Sequence, residues 1–229
     1  MEGYRRYAIY YAPDEGALGD FGKAWLGWDA EAGATRAQPR LRGLPRPVED
    51  LTATPRKYGF HATVKAPFRL AEGSDIGILH ASAVALSGQL RPVLIEGLRL
   101  SLVGGFLALT PRGDTRRLIE MAGNVVKALD GFRAAPTAAE LARRDPDRLS
   151  TRQRKLLEKW GYPYVMEEYR FHMTLTGPLK AAEAEATRVV LGPVLEPLID
   201  RPIRIRSLCL FGEAKDGRFH NLHRYSLSG

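Results

Sequence analysis

A short apolar run from Arg6 to Ala12 reads as a strand, and the stretch from Asp14 to Trp28 then changes period, with Leu18, Phe21, Trp25 and Trp28 recurring every three or four residues as on one face of a helix. Asp14, after Pro13, is placed to cap that helix. From Asp29 to Pro55 the pattern dissolves into Gly, Pro, Ala and Arg, which predicts a long irregular connection of the kind that often covers a site. Beyond it come a strand around His61, a helix from about Ser74 carrying Ile76, Leu79, Ala83 and Leu86, and strands at Pro92 to Leu102 and Phe106 to Thr110 turning at Gly104-Gly105. The same order returns later: a strand around His172, a helix from about Ala181 to Leu195, and strands at Ile203 to Phe211 and Arg218 to Leu227 turning at Asp216-Gly217.

The two halves also repeat in detail. Tyr58-Gly-Phe-His-Ala-Thr-Val-Lys-Ala-Pro-Phe68 aligns position for position with Tyr169-Arg-Phe-His-Met-Thr-Leu-Thr-Gly-Pro-Leu179, and the hairpin turns follow the histidines by 43 and 44 residues. A duplicated unit explains this better than chance. Units at about 56–112 and 164–229, interrupted by a polar helical insert at about 133–162, predict an α+β fold. In it, two lobes form a single bilobal domain with two pseudo-symmetric, mainly antiparallel sheets, helices outside, and a site in the cleft between lobes.

Side chains alternate along a strand, so His61, Thr63 and Lys65 are expected on one face, with Phe60, Ala62 and Val64 on the other. In the second copy Arg170, His172, Thr174 and Thr176 share a face, opposed by Phe171, Met173 and Leu175. Facing the polar sides across one cleft would assemble two imidazoles, several hydroxyls and at least one cation. Imidazole titrates at about 6.5, so one ring can hold a proton while the other does not. That is the acid and base pair that in-line displacement at a phosphodiester needs, with the hydroxyls of Thr63 and Thr174 donating to non-bridging oxygens. Lys65, Arg170 and Thr176 are then candidate substrate contacts, joined by Tyr162 and Tyr164 just before the second strand, while Tyr58 and Tyr169 are expected in core packing.

Net charge is +8, half of it in the insert, where eight Arg or Lys stand against four acids; this favours an anionic partner, with the insert itself read as a solvated helical hairpin. The lone Cys209 lies in an apolar run, so neither a disulfide framework nor a thiolate metal cluster is expected. His220 and His223 invite a metal reading, but three-residue spacing on a strand sends their rings to opposite faces, and no metal is expected. His80 and the Trp25 and Trp28 pair fit helix packing. With no Gly-rich phosphate loop or dinucleotide fingerprint, no cofactor is expected, and with no long apolar run and no leader the chain is expected to be a cytoplasmic monomer away from membranes.

The paired H-x-T motifs resemble those of the 2H phosphoesterase superfamily, which includes LigT-like cyclic phosphodiesterases and RNA-end-processing enzymes. The resemblance implies a bilobal α+β fold, metal-free hydrolysis, and catalytic roles for His61, Thr63, His172 and Thr174. Tyr58 to Phe68, with Leu149-Ser-Thr-Arg-Gln and Trp160-Gly-Tyr-Pro-Tyr164, looks like the branch found beside bacterial phosphonate-degradation genes. For that branch it implies a 5-phosphoribosyl 1,2-cyclic phosphate opened to a ribose bisphosphate. The expected substrate is thus a small anionic cyclic phosphate; RNA with a 2′,3′-cyclic end is the alternative, and a non-catalytic nucleotide or phosphate sensor is a third reading.

Overall fold

A computed structural model describes residues 3–229. Met1 and Glu2, part of the start from which no leader was read, lie outside the described residues. In chain order the strands are β1 Tyr7–Tyr11, β2 Trp28–Asp29, β3 Ala34–Thr35, β4 Ala62–Phe68, β5 Val93–Ile95, β6 Leu98–Val103, β7 Phe106–Pro111, β8 Met173–Thr174, β9 Ile203–Ile205, β10 Ser207–Glu213 and β11 Phe219–Ser226. The helices are α1 Ala17–Leu26, α2 Val48–Leu51, α3 Ala53–Arg56, α4 Ile76–Ser87, α5 Arg116–Ala128, α6 Ala138–Ala142, α7 Thr151–Trp160 and α8 Ala181–Ile199.

The fold is α+β, as the pattern predicts, and its antiparallel halves run on into one seven-stranded sheet ordered β11-β10-β1-β4-β8-β7-β6. The halves exchange partners. The hairpin β6-β7, which follows the first motif, pairs with β8 of the second; the hairpin β10-β11, which follows the second, pairs through β1 with β4 of the first. The strands that lead into the two hairpins, β5 and β9, pair with each other in a separate ladder centred on Leu94 and Arg204.

Local chemistry accounts for the helices. Asp75 caps α4, its carboxylate accepting from the Ile78 amide at 2.9 Å. Within the insert, reciprocal capping boxes start both helices: Thr137 with Glu140 at α6, and Ser150 with Gln153 at α7. Helix α5 was not anticipated, although Leu118, Met121, Ala122 and Val125 line its buried side. The main core packs the helices on one face of the sheet, around Ile9, Leu79, Leu109, Leu191 and Leu210. On the other face Tyr10, Trp28, Phe211 and Phe219 form a smaller aromatic cluster. The Trp25 and Trp28 indoles donate to the carbonyls of Leu175 and Phe219, so both are framework groups. Cys209 is buried, and its thiol is pushed up to about 11 by that burial. No helix among the described residues is long and apolar enough to cross a membrane.

Candidate functional site

Strands β4 and β8 meet at a single pair, Ala62 opposite Met173. Continuing that antiparallel register by one residue each way sets His61 opposite Thr174 and Thr63 opposite His172. Ala62 and Met173 are completely buried, so alternation turns all four flanking side chains to the other face. The two histidines then occupy diagonal corners of a four-residue square, where backbone positions lie about 7–8 Å apart and side chains of their length converge. The pseudo-twofold relation between the halves runs through Ala62 and Met173, which is why one repeated motif suffices to build the square.

Both imidazoles are held in the same way. His61 Nδ1 lies 3.0 Å from the Gly59 carbonyl and His172 Nδ1 lies 2.8 Å from the Arg170 carbonyl, each two residues back. A carbonyl only accepts, so the hydrogen sits on Nδ1 and Nε2 is left to act. His61 Nε2 is 3.2 Å from the Thr63 hydroxyl. Gly59 is needed in this arrangement: its φ is +73°, and a Cβ there would come 2.9 Å from that of Ala30.

The surroundings differ. His61 stacks on the buried Tyr10 ring, centroids 3.8 Å apart, and lies near Tyr58 and Phe211. Burial pushes its pKa down to about 4, against the pull of the Gly59 carbonyl and with a further push from His172. His172 instead meets Phe106 at a tilt of 48°, centroids 5.8 Å apart, and lines an open cavity of about 420 Å³, together with Thr63, Tyr162, Tyr164, Tyr169 and Arg170. Tyr162 and Tyr164 lie edge to face, 5.7 Å apart.

Thus His61, Thr63, His172 and Thr174 come together around the Ala62–Met173 pair, and Arg170, Tyr162 and Tyr164 line the cavity that Thr63 and His172 reach. Lys65 and Thr176 do not. Lys65 was expected beside His61, but the register between β1 and β4 slips on both sides of the Ile9–Lys65 pair. Those bulges undo the alternation, and Lys65 pairs with Ile9 on the core face. There its ammonium is buried and bonds Asp130 at 3.0 Å, with Arg133 on the same carboxylate at 2.8 Å. Burial lowers the Lys65 pKa in spite of Asp130; at Asp130 burial works against the charge, but Arg133 and Lys65 hold the carboxyl below its ordinary range. Thr176 is equally removed: the amides of Leu175 and Thr176 both point to the Leu107 carbonyl, and the Thr176 hydroxyl accepts from the Leu107 amide at 3.0 Å.

Tyr169 is buried as expected, yet it also walls the cavity, and its hydroxyl has no hydrogen-bond partner among the described residues. Sequence reasoning missed Tyr10 and Phe106, which lie against the histidines from neighbouring strands; a strand's partner leaves no mark in its own sequence. His220 lies against Trp28 and Tyr4, whereas His223 lies against His80 and Tyr225, so the two rings serve different neighbours. His80 Nδ1 is 3.0 Å from the Tyr225 hydroxyl. The described residues hold no cluster of three or more metal-ligating side chains.

Among known proteins, the chain is 40% identical over 186 residues to ribose 1,5-bisphosphate phosphokinase PhnN of Janthinobacterium sp. (strain Marseille), a match covering 80% of this chain and 41% of that one. It is 34% identical over 222 residues to the protein of the same name from Laribacter hongkongensis (strain HLHK9), covering 96% and 51%. The chain therefore spans about half the length of these curated relatives or less. Solved structures similar to it include E. coli LigT complexed with 3′-AMP, at 14% identity and TM-score 0.40 over 98% of this chain and 99% of that one. Another is Kluyveromyces marxianus Usb1, at 11% identity and TM-score 0.44 over 98% of both. The family model described as "protein of unknown function (DUF1045)" matches residues 63–220, more than half of the chain, and the chain belongs to that family.

Proposed function

We propose that the chain is a cyclic phosphodiesterase that needs no metal, working by acid and base catalysis between His61 and His172 on a small cyclic sugar phosphate. The observation that carries this is the square of His61, Thr63, His172 and Thr174 around the Ala62–Met173 pair, with both Nδ1 atoms tied to carbonyls and the His61 Nε2 set against the Thr63 hydroxyl.

His61, held neutral by its burial, takes a proton from water through Nε2 as the water oxygen bonds to phosphorus. The bond from phosphorus to one ring oxygen breaks, and His172, entering the step protonated, gives its Nε2 proton to that oxygen. The product is a phosphate monoester with a free hydroxyl, and the proton on His61 returns to His172 through solvent. Thr63 and Thr174 donate to the non-bridging oxygens, and Arg170 at the cavity edge offsets their charge. Ring strain in a cyclic diester favours opening.

For the sugar, the favoured reading is a 5-phosphoribosyl 1,2-cyclic phosphate in phosphonate breakdown. The curated relatives are named for a kinase of ribose 1,5-bisphosphate, and a ribose bisphosphate is what opening such a ring yields. The kinase activity itself is not carried over, because this chain lacks a Gly-rich phosphate loop. An RNA 2′,3′-cyclic end is the second reading, favoured by the partly exposed Tyr164 beside Tyr162, on which a base could stack. Turnover of the cyclic ribose phosphate compared with that of a cyclic-ended oligoribonucleotide decides between them. Cleavage of the oligonucleotide alone removes the sugar assignment, and cleavage of neither removes the phosphodiesterase.

A further inference from the structure

A second cavity, of about 320 Å³, opens beside the histidine site, and six of its lining side chains are cationic: Arg6, Lys57, Arg69, Arg133, Arg143 and Arg144. Three of these are already neutralised. Arg6 bonds Glu213, Arg69 bonds Glu140, and Arg133 bonds Asp130. Lys57, Arg143 and Arg144 have no carboxylate partner among the described residues.

Two of those three are instead braced on aromatic rings. The Arg144 guanidinium lies 4.7 Å above Tyr162, and the Lys57 ammonium lies 4.9 Å above Tyr58. These same rings border the histidine site: Tyr162 lines its cavity, and Tyr58 sits 6.1 Å from the His61 ring. The two cavities are therefore linked through two tyrosines: Tyr58 lines the cationic one and lies near His61, and Tyr162 lines the histidine one and carries Arg144 of the other. Stacking fixes a guanidinium in its plane and leaves its N–H edge free for an oxyanion. Uncompensated positive charge in a concave site raises the local concentration of anions and binds them best when the acceptor has several oxygens.

We propose that this cavity is a second anion subsite, which takes a phosphate monoester on the same small molecule whose cyclic diester lies between His61 and His172. The inference rests on the reading of the histidine cavity as a diester site, and it gives the insert a purpose: α6 and the residues after it carry Arg143 and Arg144 to the one wall that the duplicated halves do not supply. The ligand class is a phosphorylated sugar with two phosphorus centres, one strained and one terminal.

The probe is ribose 5-phosphate, a monoester with no cyclic ring, titrated by calorimetry into the full chain and into Lys57→Gln and Arg143→Gln. Both residues are exposed and neither has a carboxylate partner among the described residues; Lys57→Gln gives up the stack on Tyr58, so a thermal melt checks that each variant is folded, and Arg143→Gln tests the charge apart from that stack. Each substitution is expected to weaken binding about tenfold or more, the scale of a charge-assisted hydrogen bond. In parallel, the preference in kcat/KM for a cyclic ribose phosphate with a 5-phosphate over one with a free 5-hydroxyl falls by a similar factor. Binding unchanged in both variants, or no binding to the unsubstituted chain, overturns the subsite. So does a cyclic-ended oligonucleotide whose binding, unlike that of ribose 5-phosphate, depends on Lys57 and Arg143, since the cations then follow a backbone. Failure of the diesterase reading looks different: neither cyclic phosphate is opened, while ribose 5-phosphate binding still depends on the two cations.

Discussion

The stacked, half-buried environment of His61 predicts a measurable acid sensitivity. In the unfolded chain this imidazole titrates at about 6.5; in the folded protein the Tyr10 ring and the apolar walls hold it near 4. Between those values the unfolded state binds the proton and the folded state does not, so stability is intact above about pH 6.5 and is lost as the pH falls toward 4. The gap corresponds to about 3 kcal/mol, a large share of the 5–15 kcal/mol that typically holds a domain together. Urea unfolding of the unsubstituted chain and of His61→Gln, measured from pH 7.5 to 4, isolates the contribution. The unsubstituted chain should lose about 3 kcal/mol more than the variant over that range. His223, also lowered by burial, is common to both proteins and cancels. Carboxylates such as Glu140, held down to about 2 by Arg69, lose their contribution mostly below this window. Parallel pH dependence in the two proteins, or an NMR titration of His61 centred near its unfolded value, would refute the reasoning.

Other consequences can be measured separately. His61→Ala and His172→Ala should each lower kcat roughly a hundredfold or more while phosphate-ligand affinity by calorimetry stays within a few fold, because the rings move protons more than they bind. Lys65→Met should cost about 1.5–3 kcal/mol in chemical denaturation, the scale of a hydrogen bond to a charged group, because the half-buried Asp130 carboxylate keeps Arg133 alone, and the molecules that remain folded should turn over normally. Gly22→Ala would set a Cβ 1.9 Å from the Phe60 ring, so a loss of about 1–3 kcal/mol is expected, with KM rising as the residue beside His61 is displaced.

The repeat marks the four motif residues, and two-residue alternation gives their shared face because it holds across the short span where β4 and β8 touch. Alternation fails for Lys65, four residues past His61, because β4 must bulge twice to stay paired with β1. It fails for Thr176 because β8 ends at Thr174 and the chain turns its next hydroxyl inward to Leu107. Bulges answer to a partner strand, and the partner lies far away in sequence. The same holds for the exchanged hairpins: the repeat shows that two alike units exist, but which strand each hairpin joins is decided by long-range packing. Helix α5 is a different case, since its apolar spacing was present in the sequence, between the last strand of one repeat and the insert.

Symmetry and asymmetry do separate work in this site. Duplication supplies the geometry, because an antiparallel pair centred on Ala62 and Met173 places identical motifs at opposed corners with identical carbonyl anchors at Nδ1. Two identical imidazoles in identical surroundings could hold the proton either way round, and fixing which is acid and which is base needs the two to differ. The break comes from elements outside the repeat. Strand β1, inserted beside β4 only, brings Tyr10 onto His61 and dries it, whereas β8 pairs directly with β7 and leaves His172 facing the cavity between Phe106 and Arg170. On the proposed reading, that single extra strand is what assigns the base to the first motif and the acid to the second. Replacing Tyr10 should therefore move the acid limb of the pH–rate profile while leaving the position of His61 to its Gly59 anchor.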